Sequence, residues 1–433
     1  MKEYDRAIQE YIDTVCKQIK WKNYHFAIGT ELKNHIVDNT EDLNTQGISK
    51  TDALKQTLSD MGDPKVLGEQ LNAVYQPKYN RLFILCVFCT SVVILIMNCF
   101  VCKEFSQDAI NIINPVIYIG CGIFGGIFVC CCDFSKLFIK KKIIIGVPAI
   151  LMIICMELSK GVMHNAYHFI NGVLIFIPFF LCLFIGLLKD KKELGIILSF
   201  VTAVLSVILC SFSSYAAAFL VGVNGWFIII YFVHQNWFGE LGKVRKTICE
   251  IMCSLPFIIG IIYIVNRKLD NILLNRQSFF AKEYIKNAAI IGIGENTEKY
   301  GSQFEDYPLL FFILYYGYIF LILYIAVLAY IFYEIFRVYK NQQTIIGRAI
   351  ILYLLISYTI TTIFSVLLNL GIPLIKGFAV PLLGFHFENM VLFLSIGLLE
   401  AVDCFGNYMF IKDAVNQNHL FEIEDGKVIF YYK

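Results

Sequence analysis

The sequence contains few charged residues. Asp, Glu, Lys and Arg make up only 16% of its 433 residues, whereas 58% are hydrophobic. An average soluble domain is about one-quarter charged and about half apolar. This imbalance excludes an ordinary soluble domain and indicates a membrane protein. The formal net charge of +2 gives no electrostatic reason to expect a nucleic-acid partner.

The sequence also lacks the residue spacing of a metal site or of a repeat protein. It has 15 cysteines, but most lie in apolar runs, and no pair of them stands at metal-ligand spacing with a histidine. Such cysteines are expected to be small buried hydrophobic side chains. We find no internal repeat of the kind seen in transporters. The stretch "GIGEN" at 292–296 lacks the Lys-Ser/Thr pair and the strand–helix context of a phosphate-binding loop.

Residues 1–78 predict a small helical domain, which we expect to lie in the cytoplasm. Apolar residues recur with a helical period over residues 4–19, and Ser49 precedes Asp52 by three residues, as in a capping box. The first strongly apolar run begins only near Leu82, so no signal peptide is expected. The residues leave open whether this domain is a passive extension or a docking or regulatory module.

Ten apolar segments between residues 79 and 403 predict an all-α polytopic membrane protein with ten transmembrane helices. A helix needs about 20 mostly apolar residues to cross the hydrocarbon. The segments lie at 81–101, 109–131, 143–157, 169–188, 194–211, 215–233, 248–265, 307–336, 349–370 and 378–402. In the tail, residues 404–433, the pair Asp425-Gly426 stands between two β-prone runs, which predicts a short cytoplasmic hairpin.

Positive charge is distributed unevenly between the short loops, which predicts the orientation in the membrane. With the N-terminus inside, the inner loops carry Lys136, Lys140, Lys141, Lys142, Lys189, Lys191, Lys192, Lys243, Arg245, Lys246, Arg337, Lys340 and Arg348. The short outer loops carry only Lys103, Lys160 and Lys376. We therefore expect both termini in the cytoplasm and the long loop 266–306 on the outer side.

Glu305 and Asp306 form an acidic pair at the end of that loop, directly before an apolar run. One interpretation is structural, because acidic residues at a helix N-terminus cap free N–H groups and are stabilised by the helix dipole. The other interpretation is catalytic, because a carboxylate at the membrane surface can accept a proton from a hydroxyl group. Taken alone, the pair favours the structural role.

Further ionisable side chains are expected at the same outer level. They are Lys160, His164 and His168 after the third span, Lys376 between spans nine and ten, and His386 and Glu388 at the start of span ten. Ionisable groups inside spans are costly and often functional, but His386 and Glu388 are equally well explained by a pair inside the bundle. Prolines and glycines interrupt the helical pattern over 369–385, and such backbone must be buried in protein or line a cavity.

Several stretches near this level resemble the SEDS family of shape, elongation, division and sporulation proteins, which includes RodA, FtsW and SpoVE. The family's outer-loop motifs resemble, in order, "RKLDNILLNRQSF" (267–279), "IKNAAIIGIGENT" (285–297) and "FEDYPLLFFILYYGYI" (304–319). Its late motif resembles "NLGIPLIKGFAVPLLGFHFEN" (369–389), but the family's Ser-Tyr-Gly-Gly-Ser-Ser is replaced by Gly-Phe-His-Phe-Glu-Asn at 384–389.

Residues 1–78 resemble a different module, the permease-prefix domain of Firmicute membrane proteins. The matching stretches are "ELKNHIVDN" (31–39) and "MGDPKVLGEQLN" (61–72). The two resemblances together cover most of the chain.

The SEDS resemblance implies a peptidoglycan glycosyltransferase of the bacterial plasma membrane, which polymerises a lipid-linked disaccharide at the outer face in cell shape, division or sporulation. It implies Asp306 as the catalytic residue, with Glu305 and the other outer ionisable residues as candidates for substrate binding. The implied partners are the lipid-linked peptidoglycan precursor and a transpeptidase (penicillin-binding protein) or divisome or elongasome proteins. The pyrophosphate leaving group requires cationic groups or a divalent cation such as Mg²⁺ or Mn²⁺, and the sequence does not choose between them.

Two alternative functions remain at this stage. The lost glycines favour a catalytically inactive SEDS scaffold that binds lipid-linked precursor or cell-wall synthesis partners. A transporter or lipid flippase is less favoured, because charged residues are expected near the middle of its membrane spans and spans one to seven contain almost none.

Overall fold

The computed structural model describes residues 2–20, 25–74, 79–105, 113–131, 141–159, 170–240, 242–254, 281–294, 307–372, 378, 380–383, 387–409, 421–424 and 427–430. The chain divides into two compact units, one formed by Met1–Tyr79 with Cys404–Lys433 and one formed by Asn80–Asp403. In the first unit, strand β1 (Phe421–Glu424) pairs antiparallel with strand β2 (Lys427–Phe430).

Four helices form the N-terminal part of the first unit. They are α1 (Lys2–Gln18), α2 (His25–Thr45), α3 (Lys50–Asp60) and α4 (Pro64–Val74). Their apolar faces share one core, which includes Val15, Leu32 and Leu71. Ser49 is the N-cap of α3, because its Oγ accepts a hydrogen bond of 3.3 Å from the Asp52 N–H and thereby satisfies a free donor at the start of the helix.

Residues 1–78 are expected to fold as an isolated fragment, because the described residues of this core all lie between Tyr4 and Val74. Cys16 is the fragment's only cysteine, and burial in the core raises the pKa of its thiol, with a smaller contribution from Asp13. Because the thiolate is the reactive form, the folded fragment should react slowly with a maleimide and rapidly in denaturant. Equal labelling rates in buffer and in denaturant would contradict independent folding.

The second unit is a bundle of mostly apolar helices. They are α5 (Arg81–Phe105), α6 (Ile113–Cys131), α7 (Lys141–Ser159), α8 (Ile177–Gly186), α9 (Lys192–Ser211), α10 (Tyr215–His234), α11 (Pro308–Tyr316), α12 (Tyr318–Asn341), α13 (Ile345–Asn369) and, up to Asp403, α14 (Glu388–Met409). Residues 170–174, 243–254 and 281–285 are helical as well.

Six of the described helices are long and apolar enough to cross a membrane, namely α5, α7, α9, α10, α12 and α13. Two further apolar stretches are shorter, namely Val116–Cys131 within α6 and Ile170–Gly186, which includes α8. The predicted all-α polytopic membrane fold is therefore confirmed, whereas the number of ten spans stays a prediction.

Helix α10 lies in the interior of the bundle. Most of its residues are buried, and it packs against α8, α9 and α13. Asn224 Nδ2 donates a hydrogen bond of 3.0 Å to Ser357 Oγ on α13, and the Tyr353 hydroxyl donates one of 2.9 Å to the Ile175 carbonyl. Lipid offers no hydrogen-bonding partners, so polar side chains at this depth are stable when they bind each other or the backbone.

Two of the predicted spans differ from the structure. The segment 307–336 is not one helix, because Gly317 adopts φ 87° and ψ 179° and separates α11 from α12. That conformation is essentially restricted to glycine. The last span is predicted from residue 378, but its helix begins at Glu388. Leu382, which precedes it, has a φ of 66°, which no continuous right-handed helix allows.

Candidate functional site

The residues predicted to form the site lie almost entirely outside the described part of the chain. This holds for Glu305, Asp306, Lys160, His164, His168, Lys376 and His386. For Glu388 the backbone is described and begins α14, but the side chain is not. The roles of all eight residues therefore stay predictions, and the described neighbours of Asp306 define what the fold contributes.

The residue after Asp306, Tyr307, is buried and forms the N-cap of α11 without a capping hydrogen bond from its own side chain. A different helix supplies a capping group. Asn369 at the end of α13 accepts a hydrogen bond of 3.2 Å from the Leu310 N–H through its Oδ1, and its Nδ2 donates to the Ser365 carbonyl at 2.9 Å. Helix α13 therefore supplies a capping group to the start of α11.

This contact joins two of the four stretches that carry the family resemblance. Asn369 opens the late motif 369–389, and Leu310 lies four residues after Asp306 in the motif 304–319. The fold brings these stretches together across 59 positions of the chain. Because Asn369 already satisfies one of the free N–H groups of α11, that group does not require the Asp306 side chain as a cap.

The non-helical stretch after α13 is buried in protein over residues 380–383. Val380, Leu382 and Leu383 are almost fully buried. The hydroxyl of Tyr324 on α12 donates a hydrogen bond of 2.8 Å to the Pro381 carbonyl. This agrees with the requirement that irregular backbone among membrane helices find partners inside the protein.

Phe387 stands where the family motif has its second glycine, and its ring is packed between helices. The ring lies edge-on to Tyr118 of α6, with the ring centroids 6.3 Å apart. It also lies against Gly172, where an added Cβ would come within 2.5 Å of Phe387 Cδ1. The absence of a side chain at Gly172 therefore leaves the space that this bulky replacement fills.

A charged cluster that was not predicted from the sequence lies at the opposite end of the bundle. Asn80 caps α5 through its Oδ1, donates from Nδ2 to Glu334 at 3.1 Å and donates from its backbone N–H to Glu400 at 3.0 Å. Arg337 pairs with Glu334 at 2.7 Å and with Asp403 at 3.4 Å. The sequence feature that could have predicted this cluster is that Glu334 and Glu400 interrupt apolar runs. Because these ion pairs and hydrogen bonds link side chains of three helices, the cluster is best explained as a connection between α5, α12 and α14.

Within the described ranges, no group of three or more His, Cys, Asp or Glu side chains could hold a metal ion. The divalent cation that the pyrophosphate leaving group suggests would bind near the predicted site residues, and nearly all of these lie outside the described ranges. It stays a prediction.

Neither a family model nor a curated protein matches this sequence, but solved structures match its fold. One is a chain of a peptidoglycan synthase complex that coordinates polymerization and crosslinking. It has 12% sequence identity and a TM-score of 0.54, and the match covers 75% of this chain and 97% of that chain. Another is the Rod shape determining protein RodA of Thermus thermophilus, with 11% identity, a TM-score of 0.50 and coverage of 76% and 97%. At these identities the likeness shows the fold alone, and the chain therefore has a RodA-like membrane fold.

Proposed function

We propose that this protein is a SEDS-type peptidoglycan glycosyltransferase that polymerises a lipid-linked disaccharide at the outer face of the membrane. The observation that carries the proposal is the fold, which over 75% of this chain matches a component of a peptidoglycan synthase complex. The hydrogen bond between Asn369 and Leu310 supports it, because it holds together two of the stretches that resemble family motifs, 304–319 and 369–389.

In the proposed reaction, the Asp306 carboxylate is the general base. It accepts the proton of an acceptor sugar hydroxyl, and the hydroxyl oxygen forms a bond to the anomeric carbon of the donor sugar. The bond between that carbon and the pyrophosphate oxygen breaks, and the lipid pyrophosphate leaves with the electron pair. Asp306 stands two residues before α11, and the partial positive charge at a helix N-terminus favours an ionised carboxylate there.

The negative charge of the leaving pyrophosphate must be offset. We assign this role to Lys160, His164, His168 and Lys376, and further substrate contacts to Glu305, His386 and Glu388. A bound divalent cation would supply the same neutralisation. The proposed protein partner is a transpeptidase, because the matched chain comes from a complex that combines polymerization with crosslinking.

One observation favours a scaffold without catalysis as the second candidate. Phe387 fills the space beside Gly172 at a position where the family has glycine, and glycine is the residue that allows the closest approach of backbone to a ligand. Such a scaffold would bind lipid-linked precursor or cell-wall synthesis partners and form no glycan.

The discriminating experiment is a polymerisation assay with purified full-length protein, lipid-linked disaccharide and either no partner or a transpeptidase. The enzyme proposal predicts glycan strands that lengthen with time. Saturable precursor binding by a folded protein, without product in the presence of the transpeptidase and Mg²⁺ or Mn²⁺, would instead establish the scaffold.

We also propose that both termini are cytoplasmic and that loop 266–306 is outside. The reason is that lysine and arginine concentrate in the short loops on the side of the membrane where the N-terminus lies. A cysteine introduced as Ser302→Cys should react with a membrane-impermeant maleimide added to intact cells, above the labelling of the wild type. The matched control is Ser59→Cys on the exposed face of α3, which should react only after permeabilisation. The reverse pattern would overturn the orientation.

A further inference from the structure

A short segment of the long loop is attached to the break between α11 and α12. We call this segment, residues 288–294, the apolar finger. Its backbone hydrogen bonds run from Tyr318 N–H to the Ala289 carbonyl (3.1 Å), from Ile319 N–H to the Ile290 carbonyl (3.2 Å), from Gly292 N–H to the Tyr316 carbonyl (3.2 Å) and from Gly294 N–H to the Leu314 carbonyl (2.8 Å). Helix ends leave such groups without intrahelical partners, and the finger supplies them.

The two glycines of the "GIGEN" stretch are explained by the backbone conformation of the finger, and no phosphate-binding role is needed to account for them. Gly292 has a φ of 87°, a conformation that glycine adopts at little cost. Gly294 lies so close to the Asn287 carbonyl oxygen that a Cβ would collide with it. The glycines therefore allow a tight turn, so that residues before and after the turn can both form hydrogen bonds with the helix break.

The finger presents isoleucine side chains to its surroundings. Ile290 is 79% exposed, Ile291 is 74% exposed and Ile293 is 51% exposed. A contiguous group of large apolar side chains exposed on a protein marks a surface that contacts another molecule or a membrane. The hydrogen bonds to the helix break satisfy several of the finger's backbone groups, and unpaired backbone groups are the main obstacle to placing irregular chain in lipid.

Helix lengths place the finger at one edge of the bilayer. Helix α12 has 24 residues and α13 has 25, so they are about 36 Å and about 38 Å long at about 1.5 Å per residue. The hydrocarbon core is about 30 Å thick. Because α12 and α13 pack together and are joined by a short turn, Gly317 and Asn369 lie at the same membrane edge, one helix length from that turn.

The finger is also continuous with the lipid-facing surface of α12. The first two turns of α12 expose Ile319, Ile322 and Leu323, as expected for a helix side in contact with acyl chains. Ile319 is the residue whose N–H binds the Ile290 carbonyl. The exposed isoleucines of the finger therefore adjoin this surface at the level where headgroups meet acyl chains.

We propose that the apolar finger inserts Ile290, Ile291 and Ile293 into the adjoining leaflet of the bilayer and so fastens the loop 266–306 to the membrane surface. This inference does not depend on the proposed enzymatic activity or on which leaflet is the outer one. It makes lipid, and not a second protein, the occupant of this surface.

The experiment is tryptophan quenching in liposomes that contain only the full-length protein and either ordinary or brominated phosphatidylcholine. The test variant is Ile291→Trp. The positive control is Ile322→Trp on the exposed side of α12, and the water-exposed control is Gln56→Trp on the surface of α3. The emission of the wild type, which has 3 tryptophans, is subtracted from each.

Insertion predicts that brominated lipid removes the added fluorescence of Ile291→Trp to the same extent as that of Ile322→Trp, and that Gln56→Trp loses little. If Ile291→Trp does not fold, as judged by size-exclusion elution, Ile290→Trp provides the same measurement at the most exposed finger position. Quenching of a folded finger variant no greater than that of Gln56→Trp would overturn the proposal and leave the isoleucines to a protein partner.

Discussion

Asp306→Asn should abolish most of the polymerising activity while leaving the fold intact. Asparagine has nearly the same volume as aspartate but does not accept the proton of the acceptor hydroxyl. Loss of general-base assistance typically lowers a rate by about 10²–10⁴-fold. The measurement is the initial rate of glycan formation from lipid-linked disaccharide, with precursor binding and thermal stability followed in parallel, and both of these should change little.

Glu305→Gln is the matched control for this substitution. It removes the neighbouring carboxylate in the same way, but the family motif places the acidic residue at the second position of the pair, so its effect on the rate should be far smaller. If Asp306 were only a helix cap, Asp306→Asn would be nearly silent, because asparagine caps a helix about as well as aspartate. An Asp306→Asn variant as active as a clearly polymerising wild type would therefore remove this residue from catalysis.

Gly317 lies at the break between α11 and α12. Among the glycines of this break and of the apolar finger, we expect Gly317→Ala to cause the largest loss of stability. Gly317 has φ 87° and ψ 179°, and forcing another residue into such a conformation costs about 1–3 kcal/mol. The added Cβ would also lie 2.5 Å from the Ile290 oxygen and 2.8 Å from the Ile291 Cα. These are backbone atoms that cannot rotate away, so the hydrogen bonds between the finger and the helix break should be lost as well.

The measurement for Gly317→Ala is the temperature of half-denaturation in mild detergent, together with the rate of proteolysis within residues 281–294. Gly146→Ala in α7 is the control, because nothing lies within 4 Å of the added Cβ there and alanine is the better helix former by about 0.5–1 kcal/mol. We expect a lower temperature and faster cleavage for Gly317→Ala and an unchanged or higher temperature for Gly146→Ala. Similar behaviour of the two variants would contradict a structural role of the break.

The class of this protein and many of its helices follow from the sequence alone, because they depend on local properties. Long apolar runs must form helices in a bilayer, where each backbone group has to find its partner within the segment. The cap of α3 is equally local, since Ser49 and Asp52 lie within one helical turn. The order of the motifs around the long loop also led to the RodA-like fold that the structural comparison confirmed.

The helix breaks and the polar contacts between helices were decided only by the tertiary structure. A glycine in the apolar run 307–336 is compatible with one continuous helix. The helix nevertheless ends at Gly317, because residues 288–294, which are distant in sequence, supply hydrogen-bond partners for the backbone groups on both sides of the break. Asn369 reaches Leu310 across 59 positions, and Asn80 reaches Glu400 across 320. Partners this far apart are chosen by the packing of whole helices, and a local pattern carries no information about which helix will stand beside which.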